Sequence, residues 1–247
     1  MCNGRIDDAI RLQSQAIEMY KRVGDARDIA GATVALGVDY YMKGEFHESL
    51  SQIAKAKIPL GNKKLTEFAE EARGLALERL GKKREALEHL NRAIKIIQEG
   101  SDRLVLLEII SEKVILMVKL GNTREAKKQL EMALKLKKQT ERRYSLGVLK
   151  LAEGALQMIE GRLSESESCF ERAGKLLSVD SVAVGRVLWW RGLAKALQGD
   201  VGASKQLLIE ARNKFEKIGA TGYARQVESV MARTSPLNAR EAMAVAW

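Results

Sequence analysis

Glycine residues recur in a fixed context along the 247-residue chain, and this repeat constrains the fold more than any other feature. They are 37–40 residues apart, at Gly4, Gly44, Gly81, Gly121, Gly161 and Gly199. A small side chain follows five residues after each, at Ala9, Ser49, Ala86, Ala126, Ser166 and Ser204. An alanine follows twelve residues after each, at Ala16, Ala56, Ala93, Ala133, Ala173 and Ala211. A repeat of this length indicates an array of similar supersecondary units.

Each unit has the pattern of a helical hairpin. The repeated glycine ends one helix and permits the left-handed turn that a short connection needs. The segment after Gly81 has apolar residues at 86, 87, 90, 93, 94 and 97, which is the spacing of an amphipathic helix. A second glycine precedes most of the turns by seven residues, with Val114 as the exception, and indicates close contact between helices. The members of this second set are Gly37, Gly74, Gly154 and Gly192.

At these residues the sequence resembles the tetratricopeptide repeat. The family pattern has a glycine in the first helix, a glycine at the turn, and two small residues and a large apolar residue along the second helix. In this chain these positions are occupied by Gly74, Gly81, Ala86, Ala93 and Leu90, respectively. The resemblance implies an all-α, right-handed superhelical solenoid of helical hairpins. The period is longer than the family's usual ~34 residues, and the longer units resemble the helical sensor arrays of LuxR-type and STAND-class regulators.

The expected organisation is one repeat array over residues 1–233, followed by a linker or tail over 234–247. A capping helix is predicted at about 223–233. Gly4 occupies the position of the turn between the two helices of a hairpin. Residues Ile6 to Val23 are therefore predicted to form the second helix of a hairpin whose first helix is missing. We therefore expect either a fragment of a longer chain or an N-terminal edge that associates with another subunit. Phe215–Gly219, followed by a short helix, is similar to the end of the repeat region in the same regulators. In those regulators, a segment like Leu237–Glu241 can open the DNA-binding helix-turn-helix domain.

The sequence has no recognisable motif for catalysis, a cofactor or a metal. Cys169 is expected to be a small packing residue. His47 and His89 are expected to be surface or interface residues, and carboxylates such as Glu70 are expected on solvated helix faces. No apolar run approaches the ~20 residues that a membrane span requires. The expectation is a non-enzymatic, cytoplasmic protein without a cofactor.

The resemblance also implies a concave groove lined by the first helix of each hairpin. Its predicted residues are Val34, Val38, Tyr41, Glu71, Leu75, Glu78, Ile115, Met158, Arg186 and Trp189. A largely apolar groove suits a protein or peptide partner such as an amphipathic helix. Trp189 reads either as an aromatic anchor for that partner or as a core residue.

The net charge of +10 is concentrated in residues 119–150, where ten cations oppose three glutamates. The predicted basic patch comprises Lys127, Lys128, Lys135, Lys137, Lys138, Arg142 and Arg143. Such a patch can contact phosphates, but Tyr144 is its one aromatic neighbour and the stacking series used for single strands is missing. Protein–protein interaction is therefore the first functional expectation. A sensor segment of a transcription regulator and a nucleic-acid platform are the alternatives.

Overall fold

The computed structural model describes residues 6–98, 102–137 and 141–232, and over these ranges the chain is all-α with twelve helices and no strand. The helices are α1 Ile6–Val23, α2 Ala26–Lys43, α3 Phe46–Lys55, α4 Lys63–Arg79, α5 Lys83–Gln98, α6 Arg103–Lys119, α7 Thr123–Lys137, α8 Arg143–Ile159, α9 Leu163–Leu176, α10 Ser181–Leu197, α11 Val201–Lys217 and α12 Thr221–Met231. The predicted all-α class of tetratricopeptide-like hairpins is confirmed. The last helix lies over the range expected for a C-terminal helix, and residues 234–247 lie outside the described ranges.

The predicted hairpin glycines occupy the predicted turns. Among the described residues, five of them have φ between 76° and 85°: Gly44, Gly81, Gly121, Gly161 and Gly199. An L side chain rarely adopts this conformation, so glycine fits these positions best. Gly4 lies outside the described residues. Gly24, Gly61 and Gly219 also have positive φ, and these turns connect successive hairpins.

The first helices start at side-chain caps in four hairpins. Asp25, Asn62, Asp102 and Asp180 each accept hydrogen bonds from backbone amides in the first turn of α2, α4, α6 and α10. Such caps satisfy amides that have no partner inside the helix. The starts of these four first helices are therefore fixed locally by the sequence, whereas α8 begins after Arg142 without a side-chain cap.

A glycine on the first helix is packed against a large residue sixteen positions later on the second helix. A Cβ added at Gly37 would lie 2.5 Å from Cγ1 of Ile53, and one at Gly154 would lie 2.5 Å from Cε1 of Phe170. The same relation links Gly74 to Leu90 and Gly192 to Leu208. The predicted close helix contact is confirmed at all four glycines.

The described residues form two compact units. The N-terminal unit comprises the described residues between 3 and 101 together with 218–222, and the C-terminal unit comprises those of 102–217 and from 223 onward. In the N-terminal unit, Val34, Ile53, Ala69 and Ala72 form a buried apolar cluster. In the C-terminal unit, α6 packs on α8, and α10 packs mainly on α9 and α11 with a smaller contact to α8.

Candidate functional site

The predicted groove residues lie mainly in the interior. Seven of the ten are buried: Val34, Tyr41, Glu78, Ile115, Met158, Arg186 and Trp189. Their helices contact both the second helix of the same hairpin and neighbouring helices within each unit, and these contacts exclude solvent. Val38, Glu71 and Leu75 are the half-buried members of the set. They lie on α2 and α4 in the N-terminal unit.

Trp189 belongs to the core rather than to an accessible anchor position. It is 2% exposed, and the adjacent Trp190 is 1% exposed. The Trp190 ring lies 5.9 Å from the Phe170 ring, and the Lys119 ammonium lies 5.6 Å from the Trp190 centroid. Of the two readings of Trp189 that the sequence left open, the structure supports the core residue.

Phe68 is an exposed aromatic residue that the sequence analysis missed. It is 39% exposed on α4, one turn before Glu71 and two turns before Leu75. Positions 64, 68, 71 and 75 are spaced by four, three and four residues, so Lys64, Phe68, Glu71 and Leu75 share one face of the helix. We call these four residues the α4 face. The i, i+3, i+7 spacing of Phe68, Glu71 and Leu75 was the available sequence signal.

All buried charged side chains of the described residues lie on first helices. They are Glu67, Glu70, Glu78, Arg79, Glu112, Lys119, Glu153 and Arg186. Burying a charge is costly unless it is paired. The first-helix interior is thus more polar than the expected apolar wall.

The clearest pair joins α6 to α10. The Arg186 guanidinium donates from Nη1 to Oε1 of Glu112 at 2.7 Å and from Nη2 to Oε2 at 2.8 Å. This two-pronged geometry is characteristic of arginine with a carboxylate. Close by in the same unit, burial raises the pKa of Tyr144, with a further contribution from Asp180.

A second charged cluster surrounds Glu70 on α4. Oε1 of Glu70 accepts a hydrogen bond from Arg73 at 2.8 Å, and Oε2 lies 2.9 Å from Nδ1 of His89. Arg92 lies 3.6 Å from the same carboxylate. The expectation that Glu70 lies on a solvated face is wrong, because three cationic or polar groups from α4 and α5 enclose it at 7% exposure.

These clusters do not combine into a recognisable catalytic or metal arrangement within the described part of the chain. No group of three metal-ligating side chains occurs there. The Cys169 thiol is 7% exposed, and burial raises its pKa, which opposes formation of a nucleophilic thiolate. Its surroundings are those of a packing residue.

The basic patch is partly neutralised. Lys127 lies 2.5 Å from Glu160, Lys128 lies 3.5 Å from Glu125, and Arg142 lies 3.5 Å from Glu108. A further member, Arg143, donates to the Lys175 carbonyl at 2.9 Å. Lys135 is exposed, Lys137 is half-buried, and Lys138 lies outside the described residues. The patch therefore presents fewer unpaired charges to phosphate than its composition suggests.

The hairpin formed by α4 and α5 carries the family signature in three dimensions. Gly74 contacts Leu90, Gly81 forms the left-handed turn, and Ala86 and Ala93 are fully buried. Residues 72–99 match the family described as "Tetratricopeptide repeat". This segment is a tetratricopeptide repeat. The family resemblance seen in the sequence is confirmed.

Several solved structures resemble the chain over most of its length. The Rap protein complexed with Competence and Sporulation Factor has a TM-score of 0.65 at 15% identity, with 91% of this chain and 70% of that chain covered. BtubC (BKLC) from P. vanneervenii has a TM-score of 0.57 at 14% identity, with 94% of both chains covered. A tetratricopeptide repeat protein from Parabacteroides merdae ATCC 43184 has a TM-score of 0.50 at 14% identity, with 97% and 99% covered. At these identities the likeness concerns the fold alone.

No curated protein matches the chain. The similarity to LuxR-type and STAND-class regulators rests partly on Leu237–Glu241, which lies outside the described residues. Among the described helices, none is long and apolar enough to cross a membrane.

Proposed function

We propose that the chain is a non-enzymatic scaffold that binds a protein or peptide segment along the α4 face. The observation that carries this proposal is the exposure of Phe68, at 39%, on a first helix that is otherwise largely buried. Aromatic side chains are frequent anchors of protein interfaces because they bring a large apolar surface at small entropic cost.

The α4 face has the chemistry for an amphipathic helix or an extended apolar segment. Phe68 and Leu75 lie two turns apart and supply apolar contacts, while Glu71 between them supplies a carboxylate. Lys64 adds a cation at the N-terminal end of the same face. We expect a partner with apolar residues spaced over two helical turns.

The proposed mechanism is binding to a preorganised surface. Caps and glycine contacts fix α4 before a partner arrives, since Asn62 caps its first turn and Gly74 packs against Leu90. The scaffold then loses little conformational freedom on binding, and the partner bears most of the ordering cost. The fold shared with a Rap protein, whose structure is complexed with Competence and Sporulation Factor, supports a binding role.

A pair of matched substitutions tests the proposal. Phe68 on α4 is 39% exposed and Met132 on α7 is 40% exposed, so both can be truncated to alanine with similar loss of surface. Proteins captured from a lysate of the source organism by the wild-type chain are first identified. The best candidate is then purified and its affinity measured by calorimetry.

We expect Phe68→Ala to weaken binding by about tenfold or more, as truncation of an interface anchor does, and Met132→Ala to leave it within about twofold. Circular dichroism should show equal helicity in both variants. Equal affinity of wild type and Phe68→Ala would refute the α4 face as the binding surface. Equal weakening by both variants would point to a nonspecific effect.

A further inference from the structure

Helix α1 carries an apolar stripe that faces solvent. Leu12 is 56% exposed, Met19 is 66% exposed and Val23 is 80% exposed. Ala9 is exposed and Ala16 is half-buried along the same line. The stripe comprises Ala9, Leu12, Ala16, Met19 and Val23, and its alternating spacing of three and four residues is that of a helix–helix seam.

The equivalent residues of the other second helices show that this stripe is suited to contact another helix. The residues equivalent to Ala9 are buried in every other copy: Ser49, Ala86, Ala126, Ser166 and Ser204. Four residues equivalent to Ala16 are fully buried as well: Ala93, Ala133, Ala173 and Ala211. In the other hairpins a first helix covers this face; for example, Ser166 donates to the Gly154 carbonyl at 2.9 Å. The α1 stripe therefore has the form of a helix-packing surface.

The stripe is distinct from the side of α1 that packs within the N-terminal unit. The half-buried apolar residues Ile6, Ile10, Ile17 and Tyr20 lie about 100° around the helix from the stripe, at 100° per residue, and α1 packs on α2. A second helix can therefore occupy the stripe without displacing α2.

The charges beside the stripe favour pairing with an identical helix in the antiparallel orientation. Asp8, Gln15 and Arg22 border it at seven-residue intervals, with the acid near the N-terminus and the base near the C-terminus. In an antiparallel pair of identical helices, Asp8 lies opposite Arg22 of the partner subunit and Gln15 lies at the two-fold axis. A parallel pair would instead bring the acidic first turns together, because Asp7 and Asp8 both lie there.

We propose that α1 is a homodimerisation surface that pairs antiparallel with α1 of a second copy of this chain. The symmetry is isologous, so each copy contributes the same stripe and one half of each ion pair. Asp8 is 3.2 Å from Arg11, but both side chains are more than half exposed, so this local pair exchanges readily. This inference goes beyond the proposed scaffold function, which uses α4 and not α1.

The size of the stripe sets the expected strength. An α-helix of 18 residues is about 27 Å long, and one such seam is smaller than the interface of a typical stable dimer. We therefore expect reversible association with a dissociation constant on the order of micromolar. Sedimentation velocity over a wide concentration range should show the mass rising from 27.4 kDa towards twice that value.

Two sets of variants test the surface and its orientation. Leu12→Gln combined with Met19→Gln should hold the chain monomeric, whereas Val201→Gln, at a site that is 62% exposed on α11, should leave association unchanged. Asp8→Arg alone and Arg22→Asp alone should each weaken association several-fold, because each removes both symmetric ion pairs. The combined Asp8→Arg and Arg22→Asp variant should restore it to within about twofold, since each exposed pair is worth at most about fivefold.

A wild-type chain that remains monomeric up to 100-fold above the expected dissociation constant would overturn the proposal, as would a dimer that survives the Leu12 and Met19 substitutions. Failure of the combined charge variant to recover association would overturn the antiparallel arrangement. Circular dichroism of each variant at low concentration verifies that α1 and the remaining helices are folded.

Discussion

Two glycines on the same helix provide a sharp test of the packing argument. Gly31 and Gly37 both lie inside α2, yet a Cβ at Gly31 would have no neighbour within 4 Å. A Cβ at Gly37 would lie 2.5 Å from Cγ1 of Ile53 and 3.1 Å from the Ser49 carbonyl oxygen. Neither contact involves the end of a flexible side chain, so α2 and α3 must separate to admit the methyl group.

The two substitutions should therefore have opposite signs. Gly31→Ala gains helix propensity without a clash and should raise the free energy of unfolding by about 0.5–1 kcal/mol. Gly37→Ala gains the same propensity but overpacks the hairpin, which costs about 1–3 kcal/mol. We expect a net loss of about 1–2 kcal/mol for Gly37→Ala.

Urea unfolding followed by far-ultraviolet circular dichroism measures both changes, and hydrogen exchange of α2 and α3 locates them. A double-mutant cycle adds a second test: Ile53→Ala removes the obstructing side chain but leaves the Ser49 carbonyl oxygen at 3.1 Å, so Gly37→Ala should cost clearly less in that background than in the wild type. If Gly31→Ala and Gly37→Ala shift stability in the same direction by the same amount, the close contact does not explain the repeated glycine.

Three further predictions concern buried polar groups. Arg186→Met should destabilise the protein by about 3–5 kcal/mol because Glu112 would remain buried after losing both hydrogen bonds from the Arg186 guanidinium, whereas Arg186→Met with Glu112→Leu should recover most of the loss in urea unfolding. Burial raises the pKa of Asp39 to about 6, so the folded state binds the Asp39 proton more tightly than the unfolded state does. The free energy of unfolding should therefore fall as the pH rises from about 4 through 6, and Asp39→Asn should remove this pH dependence. Cys169 should react with iodoacetamide much more slowly in the native protein than in urea, as measured by mass spectrometry of its peptide; equal rates would contradict its burial.

The hairpins could be predicted from sequence because their determinants are local. Gly44 and Gly81 stand at the same offset from the small residues that follow them, and a left-handed turn leaves glycine as the residue that fits. Gly24 and Gly61 form equally left-handed turns, but they connect hairpins and have no fixed offset from the repeated residues. The repeat pattern therefore could not identify them.

Side-chain exposure could not be predicted in the same way. The family positions correctly assign Trp189 and Leu75 to first helices, but how deeply each is covered depends on packing between neighbouring helices. Trp189 is covered and Leu75 is half-buried. The polar interior was missed for the same reason, since Glu112 and Arg186 are 74 residues apart in sequence and have no local pattern that links them.

The packing of each hairpin depends on residues that are close in sequence. The most extensive helix contacts join chain neighbours such as α4 with α5, α8 with α9 and α10 with α11. A glycine and the large residue that covers it are sixteen residues apart in sequence, so a hairpin such as residues 63–98 contains both partners as soon as that segment has been synthesised. Low contact order of this kind favours rapid folding and allows hairpins to form in the order in which they leave the ribosome. The loss or gain of one hairpin during evolution would therefore leave this contact, between a first-helix glycine and the large residue sixteen positions later, unchanged in the remaining hairpins.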